Sequence, residues 1–393
     1  MRARTLSLTG SLSGRDAGPG TGGQSTRHGR LGGHAPGNGS GLRLAVVAPS
    51  LDILGGQGVQ AQSLAQALAA EGHHIRFIPI NPVFPRGLQG FRRYPYIRTI
   101  LNETLFLPSL VRARSADVMH IFSASYWSFL MGPVAAILAG RMMRMRLVLN
   151  YHSGEAGDHL ERWGPLVHPW LRLVDEIVVP SEYLREIFLR HGYSARVIHN
   201  VVDTSRFRYR ERAPLRPRLL STRNLESYYR IDITLRAFAL LKQQYPEASL
   251  TIAGYGSLEG QLRGLAASLG IDGIRFVGRV EHAEIPRLYE EADIFVNSST
   301  LDNQPVSVLE AFAAGLPVVS TGTGDIRNMV RDGESGTLIP REEPAAMAMA
   351  IAALLQEPER AVALARRARR EIEKYTWARV RNEWAAAYAG KPA

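Results

Sequence analysis

The sequence predicts an α/β protein built from two parallel-sheet domains that face each other across a cleft. Three observations carry this. Strand, glycine-bearing loop and helix alternate from Leu42 onward, a second such series begins near Arg218, and a charged, proline-bearing run, Val197–Pro217, lies between them. Alternation of this kind gives a parallel sheet covered by helices, and ligands of such sheets bind beyond the carboxyl ends of the strands.

The elements follow in order. "LRLAVVAPS" (42–50) is an apolar run bounded by turn residues, the pattern of a buried strand. In "VQAQSLAQALAAEGHH" Val59, Leu64, Ala65 and Leu68 recur at helical spacing, and Gly72 supplies a stop. "IRFIPINP" completes a βαβ unit, and "DVMHIF", "RLVLNYH" and "EIVVPS" read as further strands. In the second series "RLLSTRN", "SLTIAGYG", "IRFVGRV", "DIFVNSS" and "LPVVST" read as strands, separated by helical stretches such as "ITLRAFALLKQQYP" and "VSVLEAFAAG". The expected organisation is a disordered tail at 1–41, an N-terminal domain at 42–205, a linker at 206–217 and a C-terminal domain at 218–375. The last segment, 376–393, is an amphipathic helix with Trp377 and Trp384 seven apart, expected to pack back toward the N-terminal domain.

At 393 residues and 45% hydrophobic composition the chain is long enough for two cores. The absence of cysteine excludes disulfides, cysteine-zinc sites and a thiol nucleophile. A net charge of +11 suits a phosphate-bearing or anionic-membrane partner, or else reflects a generally arginine-rich composition. Residues 1–41, rich in Gly, Ser, Thr, Arg and His, hold no apolar stretch of signal-peptide length. The longest apolar region, Asp117–Gly140, is broken by His120, serines, Gly132 and Pro133, and reads as strand, loop and helix instead of a membrane span.

Two carboxylates eight residues apart carry the chemistry. Asp302 falls in the loop after the strand "DIFVNSS", and Glu310 in the first turns of the next helix. A carboxylate there accepts from the vicinal hydroxyls of a ribose or hexose, while nearby helix N-terminal amides suit phosphate. Taken alone, the same residues serve equally as a turn former and a complement to the helix dipole.

The segment "LEAFAAGLPVVSTGTGDIRNMVRDGESGTLIP" resembles the Glu-x7-Glu region of family 4 retaining glycosyltransferases of the GT-B fold, two Rossmann-like domains facing across a cleft. The likeness runs along most of the chain from Leu42. "GGQGVQAQSLAQALAAEGH" is similar to the family's N-terminal Gly-Gly loop and helix, "NVVDTSRF" to its linker strand, and "LTIAGYGS", "IRFVGRV" and "LYEEADIFVNSS" to its C-domain strands. "RNLExxY" and "DNxPxSxLEAF" mark a bacterial subgroup. The resemblance implies that Gly55 and Gly56 approach the donor diphosphate, Arg223 neutralises its charge, the backbone near Val280 holds the base and Glu310 binds the ribose. It implies that Asp302 and His152 meet the transferred sugar, making His152, Asp302 and Arg223 the catalytic set. Gln57, Gly254, Asn303 and Ser307 complete the expected donor site.

This chain departs from the family pattern at four places. Asp302 replaces a glutamate and is one methylene shorter. The usual phosphate-binding lysine is absent, and Tyr229 stands there with Arg230 next, at a family glycine; Tyr229 is the expected substitute. Pro305 removes an amide from the donor loop. Asp325 replaces the second of two glycines, a change that subgroup habit does not account for.

Other cofactors are not expected. In "GYGSLEG" the third glycine comes one residue late for a dinucleotide fingerprint, and Asp272 sits in a turn. No Asp-x-Asp pair or histidine cluster suggests a metal, and His73 and His74 read as a solvent-exposed turn. The expected donor is a UDP- or GDP-sugar, and the resemblance implies same-face departure and attack without a protein nucleophile. The acceptor, a glycan or lipid-linked molecule, belongs to the N-terminal domain. There Arg86, Arg92, Arg93 and Arg98 interleave with Phe91, Tyr94 and Tyr96, which suits peripheral contact of segment 86–98 with an anionic membrane, or a solvated loop. Nucleic acid is not an expected partner. The expected location is cytoplasmic, at most peripheral at the inner membrane face. The expected activity is hexosyl transfer in cell-envelope polysaccharide or glycolipid synthesis. The alternatives are a non-catalytic sugar-nucleotide-binding subunit and a sugar-nucleotide epimerase of the same fold.

Overall fold

A computed structural model describes residues 41–50 and 56–392; the tail at 1–40 and Gly55 lie outside the described residues. Twelve strands form two six-stranded, wholly parallel sheets among these residues. The first comprises β1 (Arg43–Ala48), β2 (His74–Pro79), β3 (Val118–Ser123), β4 (Arg146–Tyr151), β5 (Glu176–Val179) and β6 (Arg196–Val197), in the order β2-β1-β3-β4-β5-β6. The second comprises β7 (Arg218–Ser221), β8 (Ser249–Ala253), β9 (Ile274–Gly278), β10 (Ile294–Asn297), β11 (Val318–Thr321) and β12 (Thr337–Ile339), in the order β12-β11-β10-β7-β8-β9. In both, the order reverses beside the first strand of the series, which opens a crevice at the carboxyl ends.

Side chains of successive strand residues point to opposite faces, so each sheet buries two apolar layers. Along β1, Ala45 and Val47 join one core with Met119, Ile121, Leu147 and Leu149, while Leu44, Val46 and Ala48 join another with Phe122, Val148 and Val178. In the second sheet Phe295 and Val318 face one core, and Ile294, Val296 and Val319 the other. Both sheets belong to one compact unit, Ser40–Ala393.

The chain ends on the first sheet. In the helix Trp377–Ala389, Val380, Trp384, Ala387 and Tyr388 recur at helical spacing and enter the core of Leu44, Val46 and Phe122. The Tyr388 hydroxyl meets Nδ1 of His120 at 2.9 Å, and the His120 ring stacks on Phe122 with centroids 4.9 Å apart. Burial first, and the nearby His152 second, lower His120 to about 3, so this ring is a neutral core member. The Arg146 Nε donates to the Ala387 carbonyl at 2.9 Å, and the Trp377 indole to Glu71 at 2.8 Å. The C-terminal helix thus ties the end of the second half to the first.

The linker is bound to the second half by charge. Asp293, wholly buried, accepts from Arg210 at 3.0 Å and from Arg218 at 2.7 Å. Arg212, also wholly buried, donates to the carbonyls of Arg210 at 2.7 Å and Tyr289 at 2.8 Å, and to that of Ala314. Burial, with Arg210 next to it, lowers Arg212 to about 10.

Candidate active site

The carboxyl ends of the two sheets enclose a cavity of about 700 Å³, within the range of small-molecule and cofactor sites. Its C-terminal wall is built on two close backbone crossings. A Cβ at Gly254, which has φ +153°, would lie 2.0 Å from the Arg223 carbonyl oxygen, and one at Gly324, φ +53°, would lie 2.0 Å from the Asp302 carbonyl oxygen. Only glycine fits either place, so the loops after β7 and β10 are each pinned by the loop after a neighbouring strand.

Pinned in this way, Arg223 and Asp302 meet as an ion pair, Nη2 of Arg223 donating to Oδ2 of Asp302. The other arm of the guanidinium donates to the Ser307 hydroxyl at 3.0 Å, and its flat face lies 4.1 Å from the centroid of the Tyr229 ring. Arg223 is only 8% exposed, and its Nε is buried without a partner among the described residues. Burial opposes its charge, but Asp302 and the neighbouring tyrosines outweigh this and raise it. The pair changes the picture expected from sequence. Asp302 is turned to Arg223, where it had been expected to reach for a sugar, and the cation is already partly neutralised.

Glu310, the fifth residue of the helix Val306–Ala314, is 8% exposed at the cavity floor. Its Oε2 accepts from the Tyr289 hydroxyl at 2.8 Å. Burial raises its carboxyl to about 7, against the Tyr289 hydrogen bond and the more distant Arg206 and Arg223. Ionisation is therefore favoured less in the fold than in the unfolded chain, whose ordinary value is 4.5, so this group's contribution to stability falls as pH rises from about 4.5 through 7. A diol donating two O–H groups reverses that preference. Donor affinity is expected to fall about thirtyfold between pH 8 and pH 5.5, and Glu310→Gln to flatten the profile. Isothermal titration across this range checks it.

His152 follows β4 in the loop "HSGE", on the opposite wall. Its ring stacks on Phe122 at 5.2 Å, burial lowers it to about 4, and its Nε2 is buried without a partner among the described residues. A neutral imidazole with one open nitrogen can hydrogen-bond a sugar hydroxyl.

The remaining expected residues divide. Gly56, Gln57, Gly254, Val280 and Ser307 line the cavity. Gln57 also donates to the Ser123 carbonyl at 2.9 Å. Tyr229 lines it too, as the plate under Arg223, whereas Arg230 is turned to Asp232 in a two-pronged pair with both distances 2.9 Å. Arg230 has φ +48°, which explains a glycine preference there. Asn303 bridges the halves: it accepts from Ser181 Oγ at 2.5 Å and donates to the His152 carbonyl at 3.4 Å. His73 is half-buried, its Nδ1 accepting from the Leu42 amide at 3.1 Å, which corrects its reading as a solvent-exposed turn residue.

Asp325 has a structural reason that the sequence did not disclose. Buried beneath the loop after β10, it accepts from Asn328 at 2.8 Å and Gln304 at 3.4 Å. Gln304 in turn accepts from the Asn200 amide at 2.7 Å and contacts His199 at 3.0 Å. Gln304, Tyr289 and Ser181 were missed because the contacts that bring them to the site, with Asn200, Glu310 and Asn303, span at least 21 residues of sequence. Among the described residues no three His, Asp or Glu side chains gather as a metal would require, and no helix is long and apolar enough to cross a membrane.

Comparison with known proteins places the chain in a family. The profile "Glycosyltransferase Family 4" matches residues 54–206, and "Glycosyl transferases group 1" matches residues 205–371. A glycogen synthase of Mycobacterium tuberculosis (strain CDC 1551 / Oshkosh) is 29% identical over 383 residues, covering 86% of this chain and 91% of that protein. A GDP-mannose-dependent alpha-(1-6)-phosphatidylinositol monomannoside mannosyltransferase of Mycolicibacterium smegmatis is 30% identical over 270 residues, covering 62% of this chain and 68% of that one. The structure of Anabaena HepE in complex with UDP and glucose superposes with a TM-score of 0.67 at 16% identity, covering 88% of this chain and 99% of that one. The fold is GT-B.

Proposed function

From the premise that the chain belongs to glycosyltransferase family 4 and is a glycosyltransferase, we propose that it moves a hexosyl group, with retention, from a UDP- or GDP-sugar to a glycan or lipid-linked acceptor. The observation that carries this reading is the convergence, in one cavity, of the buried Arg223–Asp302 pair, Glu310 and the open Nε2 of His152. Glu310 would accept from the ribose hydroxyls. Arg223, with amides of the Gly56–Gln57 turn across the cleft, would take the charge that develops on the leaving diphosphate. The bond from the anomeric carbon to the diphosphate oxygen breaks and its electron pair leaves with the nucleoside diphosphate. The acceptor oxygen bonds the same carbon on the same face, and its proton passes to the departing phosphate. Asp302 is engaged by Arg223, which fits a reaction without a carboxylate nucleophile. No resident metal is part of the reading.

Donor and acceptor classes come from the relatives' names, one of which uses GDP-mannose on a phosphatidylinositol glycolipid, while HepE holds UDP and glucose. Synthesis of cell-envelope glycans or glycolipids at the inner membrane face fits them. Tyr96 (86% exposed), Ile100, Leu107 and Val111 form an outward apolar stripe along Pro95–Ser109 and the following turn, with Arg98, Arg112 and Arg114 exposed beside them. Such a face suits anionic lipid.

The test is the anomeric configuration of the product. With an α-linked donor, proton NMR is expected to show an α-linked product from the first turnover; a β-linked first product contradicts retention.

A further inference from the structure

The N-terminal wall of the cavity carries features that donor binding leaves unused. Tyr126, just after β3, has φ 56° and ψ −132°, a sparsely populated conformation for a side chain of its size. It is held there by its hydroxyl donating to Asp158 at 2.7 Å and by edge contacts with His159 at 5.3 Å and Trp163 at 5.6 Å. The consequence is the placement of the next residue. Trp127 lines the cavity yet is 65% exposed, its indole braced at 88° against Trp163. A large apolar ring that is braced against a second one, and is itself exposed and lines a cavity, is a surface for another ring to cover.

Polar groups converge beside it. Ser125 and Ser153 share a 2.9 Å hydrogen bond, and Ser125 reaches Glu155 at 3.2 Å. Glu155 lies on the same loop as His152, and that loop is pressed against the donor side. A Cβ at Gly154 would come 3.2 Å from the Asp302 carbonyl, so the loop meets the other half at close quarters. Charge then narrows the ligand. Among the described residues lining the cavity, the arginines and lysines are Arg223 and Arg279, both from the C-terminal half, while the N-terminal wall offers Glu155. A phosphate held at this wall would face a carboxylate with no cation among the described residues that line it, whereas sugar hydroxyls would find an acceptor.

We propose that the acceptor expected on this wall is a neutral pyranoside, stacked on Trp127 and hydrogen-bonded to Glu155, in preference to a phosphorylated polyol. The proposal rests on the transferase reading and specifies its acceptor. A lipid-linked acceptor fits it when the sugar that enters the cleft is uncharged and any carrier phosphate stays outside.

The full chain is first matched to its donor by thermal shift and slow hydrolysis over UDP- and GDP-sugars. Nucleoside diphosphate release is then measured with methyl glycosides of glucose, galactose, mannose and N-acetylglucosamine and with maltose, beside glucose 6-phosphate and glycerol 3-phosphate. At least one neutral glycoside is expected to accelerate release and the phosphates are not. Trp127→Ala is expected to raise the acceptor KM about tenfold while the donor KM stays within about twofold, with Trp127→Phe recovering part of the loss. Glu155→Gln, which keeps size and shape, is expected to raise the acceptor KM as well. Phosphorylated compounds acting as the better acceptors, or an acceptor KM unmoved in both Trp127→Ala and Glu155→Gln, overturns the proposal. Donor bound and hydrolysed with indifference to every neutral glycoside overturns this proposal alone. A protein stabilised by no donor overturns the transferase reading and the proposal with it.

Discussion

Replacing Arg223 by alanine is expected to lower kcat by about 10²–10³, the range seen when one preorganised donor to a developing oxyanion is removed. The guanidinium is held on three sides, by Asp302, by Ser307 at 3.0 Å and by the Tyr229 ring, so little reorganisation is needed when charge appears on the leaving group. Arg223→Lys is expected to recover only part of the rate, because one ammonium cannot span Asp302 and Ser307 while lying flat on an aromatic ring. Steady-state kinetics check both variants, with denaturation midpoints separating lost chemistry from lost fold. A kcat within about threefold of wild type in the folded alanine variant removes Arg223 from the mechanism.

The second large effect is on stability and lies far from the chemistry. Asp293→Ala is expected to cost about 3 kcal/mol, the order found when one member of a buried ion pair is deleted. Asp293 opposes Arg210 at 3.0 Å and Arg218 at 2.7 Å, and lies 4.0 Å from the wholly buried Arg212. Without it that guanidinium, already lowered to about 10 by burial, keeps its carbonyl partners but loses its counter-charge. The urea midpoint measures the loss. A change under about 0.5 kcal/mol would show that carbonyls alone satisfy the linker arginines.

These two sites differ in how far the sequence disclosed them. The strands were readable because apolar runs such as "LRLAVVAPS" and "DIFVNSS" are buried on both faces, and that burial writes itself into composition. Asp302 and Glu310 were readable through spacing and resemblance, and Arg223 through resemblance alone. Their mutual arrangement was not. That Asp302 would turn to Arg223 depends on Gly254 and Gly324 drawing loops together from distant parts of the chain. Asp325 looked like an unexplained departure because its partners, Gln304 and Asn328, matter only once the loop after β10 lies over it. Tyr126 and Trp127 stand within a run that reads as strand, loop and helix, and nothing in its composition marks a strained tyrosine. The helix Pro95–Ser109 drew attention for charge and aromaticity, while the periodicity of its exposed face was read only from the structure.

Whether this cleft holds a nucleotide sugar is decided by donor recognition in wild type and Glu310→Ala over a panel of UDP- and GDP-sugars, read as thermal stabilisation and slow hydrolysis together. At a ligand concentration a hundred times its dissociation constant the stabilisation is about 2.7 kcal/mol, a readily measured shift. The expected result is that one sugar nucleotide stabilises the wild type, is slowly hydrolysed, and loses both effects in the variant. Equal stabilisation of wild type and variant, or of neither by any donor, would contradict the assignment of this cleft as the place where the nucleotide sugar is held and opened.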